Sequence, residues 1–398
     1  TYSEWLHSSY NTPEGVPSDV FGGNKANVAT CQDCHMADVT GQACNNPSAP
    51  VRSDLPHHDM TGGSTWVPSL LASLHPTLVN PAAIDAGILR ARTMLQNAAE
   101  LSMVSADSVL TVRVTNNTGH KLPTGYPEGR RMWLNVQFYN YLDELIGESA
   151  AYDAVTAELG HDAEAKIYEI EPATDGIPGV PDGTLFHFVL TNTVVKDNRL
   201  PPRGFTNAAF AEFGGPPVAY AYADSQYWDD TAYVIPEGAV RAEVSLYYQS
   251  ASKEFIEFLR DENTTDTKGQ EMYDLWANNG KCPPELMESL TVDLVVSEVV
   301  ETDVPRASLA QNYPNPFNPQ TTIRYMVAKD GRVGLIIFDV SGRVVRRLVD
   351  EVQTASAEWR TAVWDGRGER GEALPSGVYF YRLEMDGFLE TRKMMLVR

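Results

Sequence analysis

The sequence predicts an α+β, mostly β chain in three parts. These are a small loop-rich domain with a trailing helix over 1–103, a β-sandwich with a helical insertion over 104–303, and an immunoglobulin-like β-sandwich over 304–398. Three observations predict it. With 398 residues, 43% of them hydrophobic and 10% aromatic, the chain is globular and too long for one ordinary core. The apolar pattern is irregular at first, turns helical near residue 80 and alternates from residue 107. Net charge also breaks along the chain: 14 Lys and Arg stand against 11 Asp and Glu from Val304 onward, leaving 17 basic and 42 acidic residues before it.

The first 75 residues are rich in Gly, Pro, Asn, Asp and Ser, as expected where a bulky cofactor supplies part of the core. Asn80-Pro81 opens a helix whose apolar stripe runs through Ile84, Ile88, Ala91, Leu95, Ala98 and Leu101, with Arg90 and Arg92 off it. Strands are expected over 109–115, 132–139, 184–191 and 241–248, the first from the alternation of Val112 and Val114 with Arg113 and Thr115. Short helices are expected over 252–261 and 269–278, and a closing strand over 290–296. Short strands parted by Gly and Pro turns argue for a sandwich. The prolines of Asn312-Tyr-Pro-Asn-Pro-Phe-Asn-Pro319 forbid a helix and predict a linker or edge segment. Short alternating strands are expected over 321–327, 332–339, 344–349, 361–364, 377–384 and 388–396, with turns at Ser341-Gly342 and Asp386-Gly387.

The formal charge of -22 argues against nucleic acid or an anionic membrane as partner. No apolar run reaches the roughly 18–20 residues of a membrane-spanning helix. The opening Thr1-Tyr-Ser-Glu-Trp5 has neither a basic start nor an apolar stretch, so the expectation is either a cytosolic protein or a processed chain whose leader has gone, and the motifs below favour processing.

Chemistry concentrates in Cys31-Gln-Asp-Cys34-His35. Two thiols at this spacing form thioethers to haem vinyl groups, and the adjacent imidazole reaches the iron, so the motif predicts one covalent haem c per chain. A zinc site completed by His57 and His58 and a redox dithiol are the alternatives. Cys44 and Cys282 remain, a number that permits one disulfide. For a second axial ligand the candidates are His7, His57, His58, His75, His120, His161 and His187, with Met36 and Met60 weaker donors. His187 reads as an ordinary strand residue and His161 as a solvated one. His58 stands in Leu55-Pro-His-His-Asp-Met-Thr-Gly-Gly63, whose glycines let backbone approach a flat ring; His120 stands on the rigid turn Gly119-His-Lys-Leu-Pro-Thr-Gly125. For each, the plain reading is a turn histidine. Asp229-Asp230 and Asp261-Glu262 read as solvated faces or weak calcium sites.

Glu4-Trp-Leu6, Cys31-Gln-Asp-Cys-His-Met36 and His58-Asp-Met-Thr-Gly-Gly63 together resemble bacterial multihaem c-type cytochromes. Asn116-Asn-Thr-Gly-His-Lys-Leu-Pro-Thr-Gly125 with Arg130-Arg-Met-Trp133 is similar to the β-domain that follows their haems. The resemblance covers about the first 290 residues. It implies that His58, at His-x-x-x-Gly-Gly spacing, is the distal ligand opposite His35. His120 is the alternative, or the ligand of a neighbouring haem. The chain departs from the family in having one haem motif, which implies electron partners beyond it: other cytochromes, or copies of itself in a homopolymer. Two imidazoles on one iron predict an electron carrier; an open distal side would instead suit a peroxidase-like enzyme. A surface adhesion or structural module without haem is the remaining alternative.

Asn312–Pro319, Phe338-Asp-Val-Ser-Gly-Arg343, Trp364-Asp-Gly366, Ser376-Gly-Val-Tyr379 and Lys393-Met-Met-Leu-Val-Arg398 resemble the C-terminal sorting domain of the type IX secretion system. That resemblance implies export through the periplasm to the outer cell surface or medium.

Overall fold

The structure is a computed structural model that describes residues 1–294 and 307–398. The expected boundary at 303/304 and the end of the expected 290–296 strand lie outside the described residues. The fold is mostly β with short helices, as the sequence predicts. Two compact units form, Thr1–Ser297 and Glu298–Arg398.

In the first unit a three-stranded antiparallel sheet has Val109–Asn116 at its centre, between Ala99–Ala106 and Trp228–Val234. A second antiparallel sheet runs Lys166–Tyr168, Arg131–Tyr139, Arg241–Gln249 and Glu285–Asp293, with Leu145–Ser149 also paired to Arg131–Tyr139. Alternation decides which face goes inward: Leu110, Val112 and Val114 from one sheet pack in the same core as Leu134, Val136, Val244 and Leu246 from the other. This is the expected sandwich.

Seven helical segments are referred to below: α1 (Tyr2–Leu6), α2 (Cys31–His35), α3 (Trp66–Leu74), α4 (Pro81–Ala98), α5 (Asn207–Glu212), α6 (Lys253–Glu262) and α7 (Lys268–Asn278). Asn80 caps α4 by accepting from the amides of Ala82 and Ala83 at 3.0 and 3.4 Å. The helix ends at Ala98, three residues before the expected Leu101. From Ala99 the backbone pairs with Val109–Asn116, Leu101 lying opposite Val114. Arg92 makes a two-pronged bond to Glu285 at 2.7 and 3.0 Å, tying α4 to the sheet edge. Residues 1–103 therefore belong to the same compact unit as the sandwich, and the expected break at 103/104 does not separate two units.

Two expectations are corrected. Residues 184–191 form turns, not a strand. Phe186 takes a left-handed φ of 67° and packs its ring against Phe255 and Phe258 of α6, at 5.7 and 5.8 Å. Aromatic packing on the helix replaces a ladder there, and His187 meets Phe258 edge-on at 4.8 Å instead of lying in a strand. The Cys44–Cys282 disulfide does not form: Cys44 is exposed, whereas Cys282 is buried with Trp66 and Trp276.

The second unit packs sheet Ser308–Leu309, Thr321–Val327, Ser356–Trp364 against sheet Val344–Gln353, Gly331–Asp339, Gly377–Met385, Phe388–Leu396. The proline-rich segment is an edge segment anchored in this core. Phe317 is buried against Trp364 at 5.5 Å, and its backbone pairs with Met395 and Val397. Asn312 is buried and bonds Thr321 and the Pro314 carbonyl, while the Tyr381 hydroxyl accepts from its amide. In the Ser341-Gly342 turn, Asp339 accepts from the amides of Ser341 and Arg343.

Candidate functional site

Helix α2 is a single turn, so its start must be fixed locally. Thr30 and Asp33 do this reciprocally: the Thr30 hydroxyl accepts from the Asp33 amide at 3.3 Å, and the Asp33 carboxylate accepts from the Ala29 and Thr30 amides at 2.9 Å each. Lys25 adds a contact at 2.5 Å. Burial works to raise the Asp33 carboxyl, but the Lys25 hydrogen bond and the two amides outweigh it and hold it at about 2. The sequence between the two cysteines is thus the brace that aims them.

Cys31, Cys34 and His35 all line one apolar cavity of about 360 Å³ in the first unit. Trp5 and Tyr10, Met94 and Leu95 of α4, and Met132 and Tyr248 of the sandwich form other parts of its wall. Leu95 lies so close to Gly63 that a Cβ there would meet it at 2.8 Å, so the glycine sets how tightly the 58–63 segment closes over α4. Burial pushes the Cys34 thiol up to about 12, with Asp33 and Cys31 adding to the effect. A redox dithiol needs the opposite shift. Among the described residues no group of three or more His, Cys, Asp or Glu is placed to hold a metal, so the zinc alternative finds no donor set. The suggested calcium carboxylates are held by other partners: Asp229 by Lys166 at 2.6 Å, Asp230 by Arg113 and Asp261 by Arg260.

His120 faces His35 across the cavity. The two ring centres lie 6.3 Å apart with planes 16° from parallel. Two imidazoles bound to one metal ion at about 2.0 Å, each ring centre about 1.1 Å behind its nitrogen, would have centres at most about 6.2 Å apart. Both rings are oriented from behind through Nδ1: His35 donates to the Thr61 carbonyl at 2.5 Å, His120 to the Lys121 carbonyl at 3.0 Å. That fixes the tautomer with Nε2 as the free nitrogen donor on each side. Burial holds the His120 imidazole below its ordinary value, against the opposing pull of the Lys121 carbonyl and the Glu4 carboxylate. Neutral imidazole is the ligating form.

The loop carrying His120 is locked by charges distant in sequence. Lys121, with 0% of its side chain exposed, meets Asp197 at 2.6 Å and donates to the Gly215 carbonyl at 2.9 Å. Arg199 forks onto Asp197 at 2.9 and 2.8 Å and reaches Glu4 at 3.2 Å. Glu4, in α1, accepts from the Lys121 amide and from Thr124. Gly119 lets the loop close onto Trp5 and Tyr10, where a Cβ would meet each ring at 3.2 Å. Sequence reasoning missed this network, since nothing local marks Asp197 or Arg199 as neighbours of His120.

His58 is placed elsewhere. Its side chain is exposed and does not line the cavity, although Gly62 and Gly63 do. The segment serves His35 by backbone: the Thr61 amide donates to the His35 carbonyl at 3.1 Å and the Thr61 carbonyl accepts from its ring. The structure thus sets the ring of His120, the alternative, and not that of His58 beside His35. None of the other candidates lines the cavity. His7 stacks on Phe213, His57 pairs with Asp59, and His75, His161 and Met60 are exposed.

No protein-family model and no curated protein matches the sequence. Among solved structures the chain is similar to a penta-heme cytochrome c552 from Thermochromatium tepidum, at TM-score 0.36 and 17% identity over 69% of this chain. It spans 48% of that cytochrome's length. It is also similar to two Porphyromonas gingivalis proteins. One is PorZ, a surface component of the type-IX secretion system (TM-score 0.18, 14% identity, covering 76% of this chain and 39% of that one). The other is dimeric latent PorU (TM-score 0.20, 15% identity, 76% and 20%). None of these likenesses identifies a family. Among the described residues no helix is long and apolar enough to cross a membrane.

Proposed function

We propose that this chain is a secreted c-type cytochrome that carries electrons on one covalent haem, bound at Cys31 and Cys34 and ligated by His35 and His120. The observation that carries the reading is the His35–His120 pair, with ring centres 6.3 Å apart in near-parallel planes and both thiols on the same cavity. Bound haem supplies reversible one-electron chemistry at its iron. The protein's own part is to hold. Asp33 and Thr30 fix the cysteines, Thr61 and Lys121 orient the imidazoles, and the apolar wall excludes water. With His35 and His120 both holding the haem, no position would be left on it for substrate. The oxidised protein, produced with a c-type haem maturation system, is expected to give a low-spin spectrum and, once reduced, to ignore carbon monoxide. A high-spin, carbon monoxide-binding protein would support the open-site enzyme instead.

The second unit is proposed to act as the export signal, on the strength of its resemblance to type IX sorting domains. Removing residues 307–398 is then expected to abolish release from a host with that system, and undiminished release of the shortened chain contradicts the assignment. The electron partners are proposed to be other cytochromes or copies of this chain, which the native mass of the exported protein distinguishes.

A further inference from the structure

The cavity wall carries a guanidinium that no acidic side chain of the lining balances. Among the described residues that line it there is no Asp, Glu or Lys, and Arg130 is the only Arg. Arg130 donates through Nη1 to the Thr124 carbonyl, while its Nε is buried without a hydrogen-bond partner. Other arginines of this unit have carboxylate partners: Arg131 with Glu254, Arg199 with Asp197 and Glu4, and Arg90 with Asp59. A guanidinium left unpaired beside an apolar wall is costly unless an anion completes it. Tyr248, 7% exposed, lines the same cavity close enough for the Arg130 charge to act on its phenol.

Resting on the haem reading above, we propose that Arg130 is the anchor for a carboxylate of the bound group, a haem propionate, and that it tunes the redox potential of the site. A guanidinium presents two parallel N–H donors that match a carboxylate, so it fixes the group's orientation as well as its charge. A cation beside the group favours the reduced state, because reduction adds an electron near it.

The test uses the haem-loaded full chain and compares Arg130→Gln with Arg130→Lys. Expected are an unchanged low-spin spectrum in both, and a lower midpoint potential in Arg130→Gln that varies more steeply with pH near neutrality. The steeper dependence arises because a carboxylate without its cation titrates closer to neutral. Arg130→Lys stays near the parent. Two results overturn the proposal: both variants keeping the parent's potential and pH dependence, or both losing the low-spin spectrum alike. The second makes Arg130 a brace for the Thr124 loop and not a charge partner. Failure of the haem reading shows separately, as absence of covalent haem in the unsubstituted protein.

Discussion

His120→Ala is expected to convert the site from low-spin to high-spin almost completely and to open it to carbon monoxide, while leaving the covalent haem attached. Attachment depends on Cys31 and Cys34, held by the Thr30–Asp33 cap on the opposite wall, so ligand loss and haem loss separate. Alanine leaves a hole where the ring stood, and the histidines other than His35 lie outside the cavity lining. His58→Ala is the informative companion. Its ring is exposed, so the variant is expected to keep the parent spectrum. If His58→Ala lost the low-spin signature and His120→Ala kept it, the assignment drawn from the ring geometry would be wrong. Optical spectra of the oxidised and reduced proteins, with and without carbon monoxide, read both.

Asp197→Ala is expected to destabilise the first unit by about 3–5 kcal/mol, because it strands two cations that are already out of water. Lys121 and Arg199 have 0% and 10% of their side chains exposed, and Asp197 is the carboxylate that both share. The same network predicts acid sensitivity. Burial works to raise the carboxyls of Asp197 and Glu4, but Arg199, with Lys121 and other partners, outweighs it and leaves both below their ordinary range. Depressed carboxyls stabilise the fold above their unfolded values, near pH 4. That contribution is lost as pH falls through the folded values. Urea midpoints across pH 2–7, an interval of about five units set by these carboxylate ranges, should therefore decline steeply for the parent and less for Asp197→Ala. Parallel curves would show that the network contributes no pH-linked stability. Because Lys121 follows His120, the variant is also expected to loosen the distal ring and admit a high-spin fraction.

Cys31-Gln-Asp-Cys34-His35 stood out in the sequence because the thioether chemistry it predicts would dictate that spacing in one short stretch. Helix α4 and most of the expected strands were readable for a similar reason: each buries one face, and that face repeats at the period of its own backbone. What failed depended on contacts across the chain. Residues 184–191 alternate like a strand, yet Phe186 finds aromatic partners on α6, some 70 residues later, and the ladder is not made. His58 and His120 both stand on glycine-rich turns. What separates them is the Glu4, Lys121, Asp197 and Arg199 lock, which gathers residues from positions 4 to 199 around one loop. The Gly62-Gly63 signal was read on the right segment but for the wrong group, since Thr61 backbone and not the His58 ring addresses His35. Arg130 carried no signal of its own, because an unpaired charge is visible only once its surroundings are.

The central claim is that Cys31 and Cys34 carry one haem. Intact mass of the purified full chain, after expression with c-type maturation machinery, tests it most directly. A single species heavier than the polypeptide by one haem is predicted, with that increment abolished when Cys31 and Cys34 are both replaced by Ala. A protein at the bare polypeptide mass, folded and without haem, would contradict it.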